Sequence, residues 1–161
     1  MYHMMETFTV SFFGHRTVEN TTEVEKKLEI IVRDLISTKE YVEFLVGRDG
    51  EFDQIVSSVI RRCKRIYNYS NSSHVLVLAY PTADYKNNLD YLESYYDEIE
   101  ICTNASSAHF KAAIQIRNRE MIDRSNLSVF LVERESGGAY LTLQYALKQN
   151  KKTINLAKQS E

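Results

Sequence analysis

The chain has 161 residues with 43% hydrophobic and 26% charged side chains, five glycines and one proline, a composition that excludes collagen-like, low-complexity and largely disordered proteins. Its formal net charge of -2 provides no global attraction for nucleic acid, and its two cysteines, Cys63 and Cys102, lack the spacing of a zinc site or a disulfide framework. One domain over residues 1–161 with a core over about 7–156 is expected, and a reducing cytoplasm fits the cysteine usage, because residues 1–6 resemble no secretory leader and no apolar run reaches membrane-spanning length.

Thr7 to Phe13 is rich in β-branched and aromatic residues and ends at Gly14-His15-Arg16, which predicts a buried strand and a turn. From Thr21, the apolar positions Val24, Leu28, Ile31, Val32, Leu35 and Ile36 recur at helical spacing. Tyr41 to Val46 reads as a second strand, closed by Gly47-Arg48-Asp49-Gly50. The next helix carries Phe52, Ile55, Val56, Val59, Ile60, Cys63 and Ile66 on one stripe and Arg61, Arg62, Lys64 and Arg65 on the other. Nothing aromatic interleaves that basic run in the sequence, so a solvated helix face is its plain reading.

Asn68 to Ser73 is a polar loop, and His74 to Tyr80 a third strand of the continuous apolar kind that parallel sheets bury on both faces. Residues 80–96 hold Tyr80, Tyr85, Tyr91, Tyr95 and Tyr96, which suggests a long loop with a short helix whose rings pack on the surface or stack against a base. Glu98 to Cys102 is an edge-type strand. Ser106 to Arg124 predicts a helix with the stripe Phe110, Ala113, Ile114, Met121, on which Arg117 also falls; a charge facing inward must be paired or reach a polar site. Leu127 to Val132, Ala139 to Gln149 and Thr153 to Leu156 complete the series as strand, helix and strand.

This alternation predicts an α/β three-layer sandwich, a Rossmann-like, mainly parallel sheet of about six strands with helices on both faces. Ligands of such sheets bind beyond the carboxyl ends of the strands, where the strand order reverses. If the first and fifth strands are neighbours there, Gly14-His15-Arg16 faces the segment Glu133 to Gly138. The helix opening at Gly137-Gly138 would aim unpaired N–H groups at an anion, with Arg16 and Arg117 as further donors, and Asp53 could meet a ribose hydroxyl. The phosphate-loop, dinucleotide-fold, zincin and nucleophile-elbow signatures are all missing, so neither a metal nor a cofactor is expected.

The Phe-Phe-Gly14-His15-Arg16 turn, the Gly47 to Asp53 turn with Gly50, the Arg117 to Ser125 segment and the Gly137 to Ala146 segment together resemble the YpsA-like branch of the SLOG superfamily, over about residues 7–156. That superfamily groups the DNA-processing protein DprA with the lonely-guy (LOG) phosphoribohydrolases. The resemblance implies a pocket for a nucleotide-like small molecule, with Gly137 and Gly138 holding phosphate beside Ser136, Thr142 as a nearby hydroxyl, and Arg117 and Arg119 directed at the ligand. LOG enzymes carry a second Gly-Thr and a glutamate after the glycine pair, whereas this chain reads Ala139-Tyr-Leu-Thr-Leu-Gln144. A glutamine cannot act as a general base, which favours sensing or sequestering a nucleotide-derived ligand over catalysis. One alternative is a LOG-like N-glycoside hydrolase using Glu120, Glu133 or Glu135; another is DprA-like nucleic-acid binding, disfavoured by the net charge. Superfamily members are often dimers, and a homodimer is compatible with the chain.

Overall fold

The computed structural model describes residues 4–67, 70–105 and 108–157. Twelve elements follow in order: β1 (Thr7–Gly14), α1 (Thr21–Thr38), β2 (Tyr41–Val46), α2 (Glu51–Tyr67), β3 (Ser72–Leu78), α3 (Ala83–Asn87), α4 (Leu89–Tyr95), β4 (Glu98–Ile101), α5 (Phe110–Arg124), β5 (Leu127–Leu131), α6 (Gly138–Lys148) and β6 (Thr153–Asn155). Residues 68 and 69 of the expected polar loop and Ser106, the expected start of the α5 helix, lie outside the described residues.

The strands form one sheet in the order β4-β3-β2-β1-β5-β6, and every neighbouring pair is parallel. The expected α/β sandwich is therefore present. Strand order reverses between β1 and β5, where Gly14 stands opposite Leu131. That places the two strand ends, and the loops leaving them, side by side.

Alternation along the strands serves both faces, as burial on two sides requires. Val10, Phe12, Phe44, Val46, Leu76, Leu78, Val129 and Leu131 point into one layer, where Leu28 and Val32 of α1 and Phe52, Val56 and Ile60 of α2 meet them. Phe13, Leu45, Val75, Val77 and Phe130 point the other way, under Met121 and Ile122 of α5 and Ala146 of α6. Phe13 and Phe130 stack at 5.4 Å between centroids. Serines also line this second layer: Ser11 and Ser128 hydroxyls lie 2.9 Å apart, and the Ser125 hydroxyl lies 3.0 Å from Ser11.

Among the described residues, no helix is long and apolar enough to cross a membrane. Cys63 and Cys102 are both free and buried.

Candidate functional site

A cleft of about 280 Å³ lies over the carboxyl ends of β1 and β5. Its shape begins with close backbone approaches. A Cβ on Gly14 would stand 2.3 Å from Cγ of Phe52, which is fully buried, and a Cβ on Gly50 would stand 2.6 Å from Cα of Arg16. The Glu51 N–H donates to the Arg16 carbonyl at 2.9 Å. The loop after β1 is thus seated on the first turn of α2, and Gly14 and Gly50 are needed for that contact.

On the other side, Gly137 holds φ at +93°, a left-handed conformation suited to glycine, and starts α6 without a side-chain cap. Ser136, Gly137 and Gly138 are exposed. The first amides of α6 are left for an external acceptor, and the positive end of the helix dipole points the same way.

The floor is charged but internally satisfied. Arg117 of α5 is 5% exposed. Its Nη2 donates to Asp49 Oδ2 at 2.9 Å, its Nη1 to the Val77 carbonyl at 3.2 Å, and its Nε and Nη2 to Asn118 Oδ1 at 3.1 and 2.9 Å. Asn118 Nδ2 donates to Thr142 Oγ1 at 3.0 Å, and the Thr142 hydroxyl donates to the Gly138 carbonyl at 2.9 Å. Arg117 therefore braces the Asp49 loop, β3, α5 and the start of α6 together. Its charge is answered by Asp49 rather than left for a ligand.

Asp53 accepts from the Asp49 N–H at 2.8 Å. Burial of its carboxyl, although the residue as a whole is only half-buried, pushes its pKa up to about 6, and the Asp49 charge adds to the rise. A Cβ on Gly47 would meet Asp53 Oδ2 at 3.0 Å and Asp49 Oδ2 at 3.3 Å, so the absent side chain makes room for this carboxylate pair. His15 is 7% exposed, and its Nε2 accepts from the Glu133 N–H at 3.0 Å. That bond requires a neutral ring, and burial, followed by the Arg134 charge, lowers the His15 pKa accordingly. His15 latches the end of β1 to the loop after β5.

The cleft brings together Gly14, His15, Arg16, Gly47, Gly50, Asp53, Arg117, Gly137 and Gly138 of the residues singled out in the sequence. Thr142 sits behind it, fully buried, and Ser136 is exposed just before the helix. Arg119 stands apart, its guanidinium 5.3 Å over the Tyr145 ring. Sequence reasoning passed over three polar lining residues, Asp49, Asn118 and Arg134. Arg134 could have been found from its place between the fifth strand and the glycine pair; Asp49 could not, because its partner lies 68 positions away.

The carboxylates considered for hydrolysis are elsewhere. Glu120 accepts from the Cys102 thiol at 2.8 Å and from Asn104 at 2.5 Å, and Glu133 and Glu135 line a separate hollow beside α1 and β6. Among the described residues, Glu43, Glu98 and Glu100 group closely enough to suggest a cation. Arg124 already answers this group, with Nη1 2.7 Å from Glu100 and Nη2 3.2 Å from Glu43.

No protein-family model matches the chain, and no curated protein matches it. Among solved structures, the chain is similar to DNA processing protein A (DprA) from Streptococcus pneumoniae, with a TM-score of 0.64 and 13% identity over 91% of this chain and 49% of that one. It is also similar to DNA processing protein A from Helicobacter pylori, in a structure described as giving insight into its unique single-stranded DNA binding mode. There the TM-score is 0.61 and the identity 15%, over 91% of this chain and 63% of that one. The chain thus spans about half of the first and under two thirds of the second, and at these identities the likeness is one of fold.

These neighbours correct two expectations drawn from the sequence. The main reading, a protein that senses or sequesters a nucleotide-like small molecule, is not the one these neighbours favour, since they are DNA-processing proteins and one is described with single-stranded DNA. The view of nucleic acid as a disfavoured partner falls with it. Net charge was the wrong scale: a value of -2 over the chain says nothing of where cations stand, and exposed Arg16 and Arg134 both line the cleft.

Proposed function

We propose that the protein binds single-stranded nucleic acid, with the sugar–phosphate backbone held at the cleft between β1 and β5. The observation that carries this reading is the division of charge there. The inner guanidinium of Arg117 is matched by Asp49, while exposed Arg16 and Arg134 line the same cleft as the uncapped start of α6. Such a rim offers forked donors and bare amides to phosphate above a neutralised floor.

The aromatic residues lining the cleft, Phe12 and Phe13, are 1% and 6% exposed, so the cleft gives bases no ring to stack on. Binding there is expected to follow phosphates and to be tolerant of sequence. The fold likeness to DNA processing protein A supports the same reading. Assignment to the YpsA-like branch of the SLOG superfamily, as one domain acting in the cytoplasm, belongs to the proposal and rests on the glycine turns at residues 14, 47–50 and 137–138.

Fluorescence anisotropy with a labelled oligothymidylate, titrated at low and moderate salt, tests it. Wild-type protein should bind with strong salt dependence, and Arg16→Ala with Arg134→Ala should weaken binding to all sequences alike. For every phosphate that the double variant no longer neutralises, the slope of log K against log salt should fall by about 0.7. Absence of binding at low salt, or a double variant indistinguishable from wild type, would overturn the proposal.

A further inference from the structure

The basic face of α2, taken from the sequence as merely solvated, is interleaved by rings that arrive from another element. Arg48 Cζ lies 5.9 Å from the Tyr91 centroid, Tyr91 stacks on Tyr95 at 5.8 Å with 28° between planes, and Arg61 Cζ lies 4.2 Å from the Tyr95 centroid. Arg48 is anchored by Asp84 at 2.7 Å and by the Tyr96 hydroxyl at 3.2 Å, and Arg61 donates to the Tyr95 carbonyl at 2.8 Å. Tyr96 beneath them is 4% exposed, whereas Tyr91 is 54% exposed. The result is a fixed ladder, Arg48-Tyr91-Tyr95-Arg61, with two stacked phenols between two guanidinium groups and Tyr91 still half open to solvent.

The ladder runs into a second hollow, of about 350 Å³, at the far end of α2 from the cleft. Three cations, Arg61, Lys64 and Arg65, line it against one carboxylate, Asp97. Lys64 is engaged by Asp97 at 3.2 Å and by Ser72, while Arg65 is exposed. Rigid rings beside a row of cations form the arrangement by which single strands are held without base reading, stacking on the ring and neutralising phosphate beside it.

We propose that this Arg–Tyr ladder is a second contact surface for single-stranded nucleic acid, with a base stacked on Tyr91 and phosphates over Arg61 and Arg65. The inference rests on the cleft reading and extends it. Arg48 sits between the cleft-lining Gly47 and Asp49, so the ladder begins beside the cleft, and Arg65, near the other end of α2, lies about 20 Å along the helix, a span that only a long strand can cover. The ladder therefore adds affinity in a length-dependent way.

Anisotropy with oligothymidylates of about 4 and about 20 nucleotides, chosen around the site sizes of known single-strand binders, separates the two surfaces. Tyr91→Ala should weaken binding of the long probe by roughly 5- to 100-fold and that of the short one by less, narrowing the gap between the two. Tyr91→Trp, which keeps a stacking face, should retain binding of both. With a 5-bromouracil probe, photo-cross-links should map to the peptide containing Tyr91 and Tyr95 as well as to the cleft loops. A Tyr91→Ala protein that binds both lengths like wild type, or cross-links confined to the cleft loops, overturns the ladder while Arg16 and Arg134 still report on the cleft. Wild-type protein that binds neither probe overturns both readings.

Discussion

On the side of the sheet covered by α1 and α2, Phe12, Phe44, Leu28, Val56 and Ile60 interlock at 1% exposure or less, and little besides His74 and Ser57 interrupts the hydrocarbon. On the side covered by α5 and α6, apolar contacts at Phe13, Leu45, Met121 and Phe130 share the layer with two buried polar chains, Ser125-Ser11-Ser128 and Arg117-Asn118-Thr142. Apolar packing supplies free energy with little directional preference, whereas hydrogen bonds in a dry layer fix which group faces which. The difference teaches where the geometry of the cleft comes from. Stability is concentrated on one face, and the placing of α6 and the Asp49 loop is set on the other.

Removing packing from the first face should have the largest effect. Phe44→Ala, at a fully buried position, should lower unfolding free energy by about 3–5 kcal/mol in urea titrations. If the cost stays below about 1 kcal/mol, the contrast between faces is broken.

The next effect concerns pH. Burial, outweighing the attraction of Asp97 and helped by Arg61 and Lys64, pushes the His74 pKa down to about 3, while the unfolded chain takes up that proton near pH 6.5. A depressed pKa means that the stabilisation is present above pH 6.5 and is lost as pH falls toward 3. The slope is about 1.4 kcal/mol per unit, or up to about 3 kcal/mol by pH 4. Asp53, in the cleft, has the opposite sign, because its raised pKa lets the folded protein bind a proton from about pH 6 downward, before the unfolded chain does. His74→Gln should flatten the acid loss seen in urea titrations at pH 7, 5.5 and 4, and Asp53→Asn should steepen it; parallel curves for all three proteins would contradict this assignment.

The smallest effect is a coupling. Arg117→Met leaves Asp49, whose side chain is 44% exposed, free to regain water, so the cost should be about 2 kcal/mol rather than the 3–5 of a fully buried pair. Combined with Thr142→Val in a double-mutant cycle, it should show an interaction of about 1 kcal/mol through Asn118. Strict additivity would mean that the polar chain does not act as a unit.

Much of the fold was legible because each layer leaves a periodic trace. Strands buried on both faces read as continuous apolar runs, and the α1 and α2 stripes predicted their buried residues closely. The stripes failed at the last turn of α2 and the first of α5, where Ile66 and Phe110 were expected inside and are 60% and 51% exposed. The inward direction of Arg117 could be read from its own helix. What it meets could not, because pairing across the sheet depends on which loops the strand order brings together. The same limit hid the interleaving of Arg61 by Tyr95, 34 positions away.

The strand order also bears on how the chain is made. β1 pairs with β2 at once, but its other neighbour, β5, begins at Leu127, and α5 and α6 come in the same late stretch. While a nascent chain grows from its N-terminus, β1, β2 and β3 can gather under α1 and α2 well before the opposite layer exists. Leu45, Val75 and Val77 then wait uncovered until Met121 and Ile122 emerge. The cleft, whose first wall is laid down with β1 and α2, is therefore completed only by the half of the molecule synthesised last, and the interval before it closes is when the growing chain is most open to aggregation.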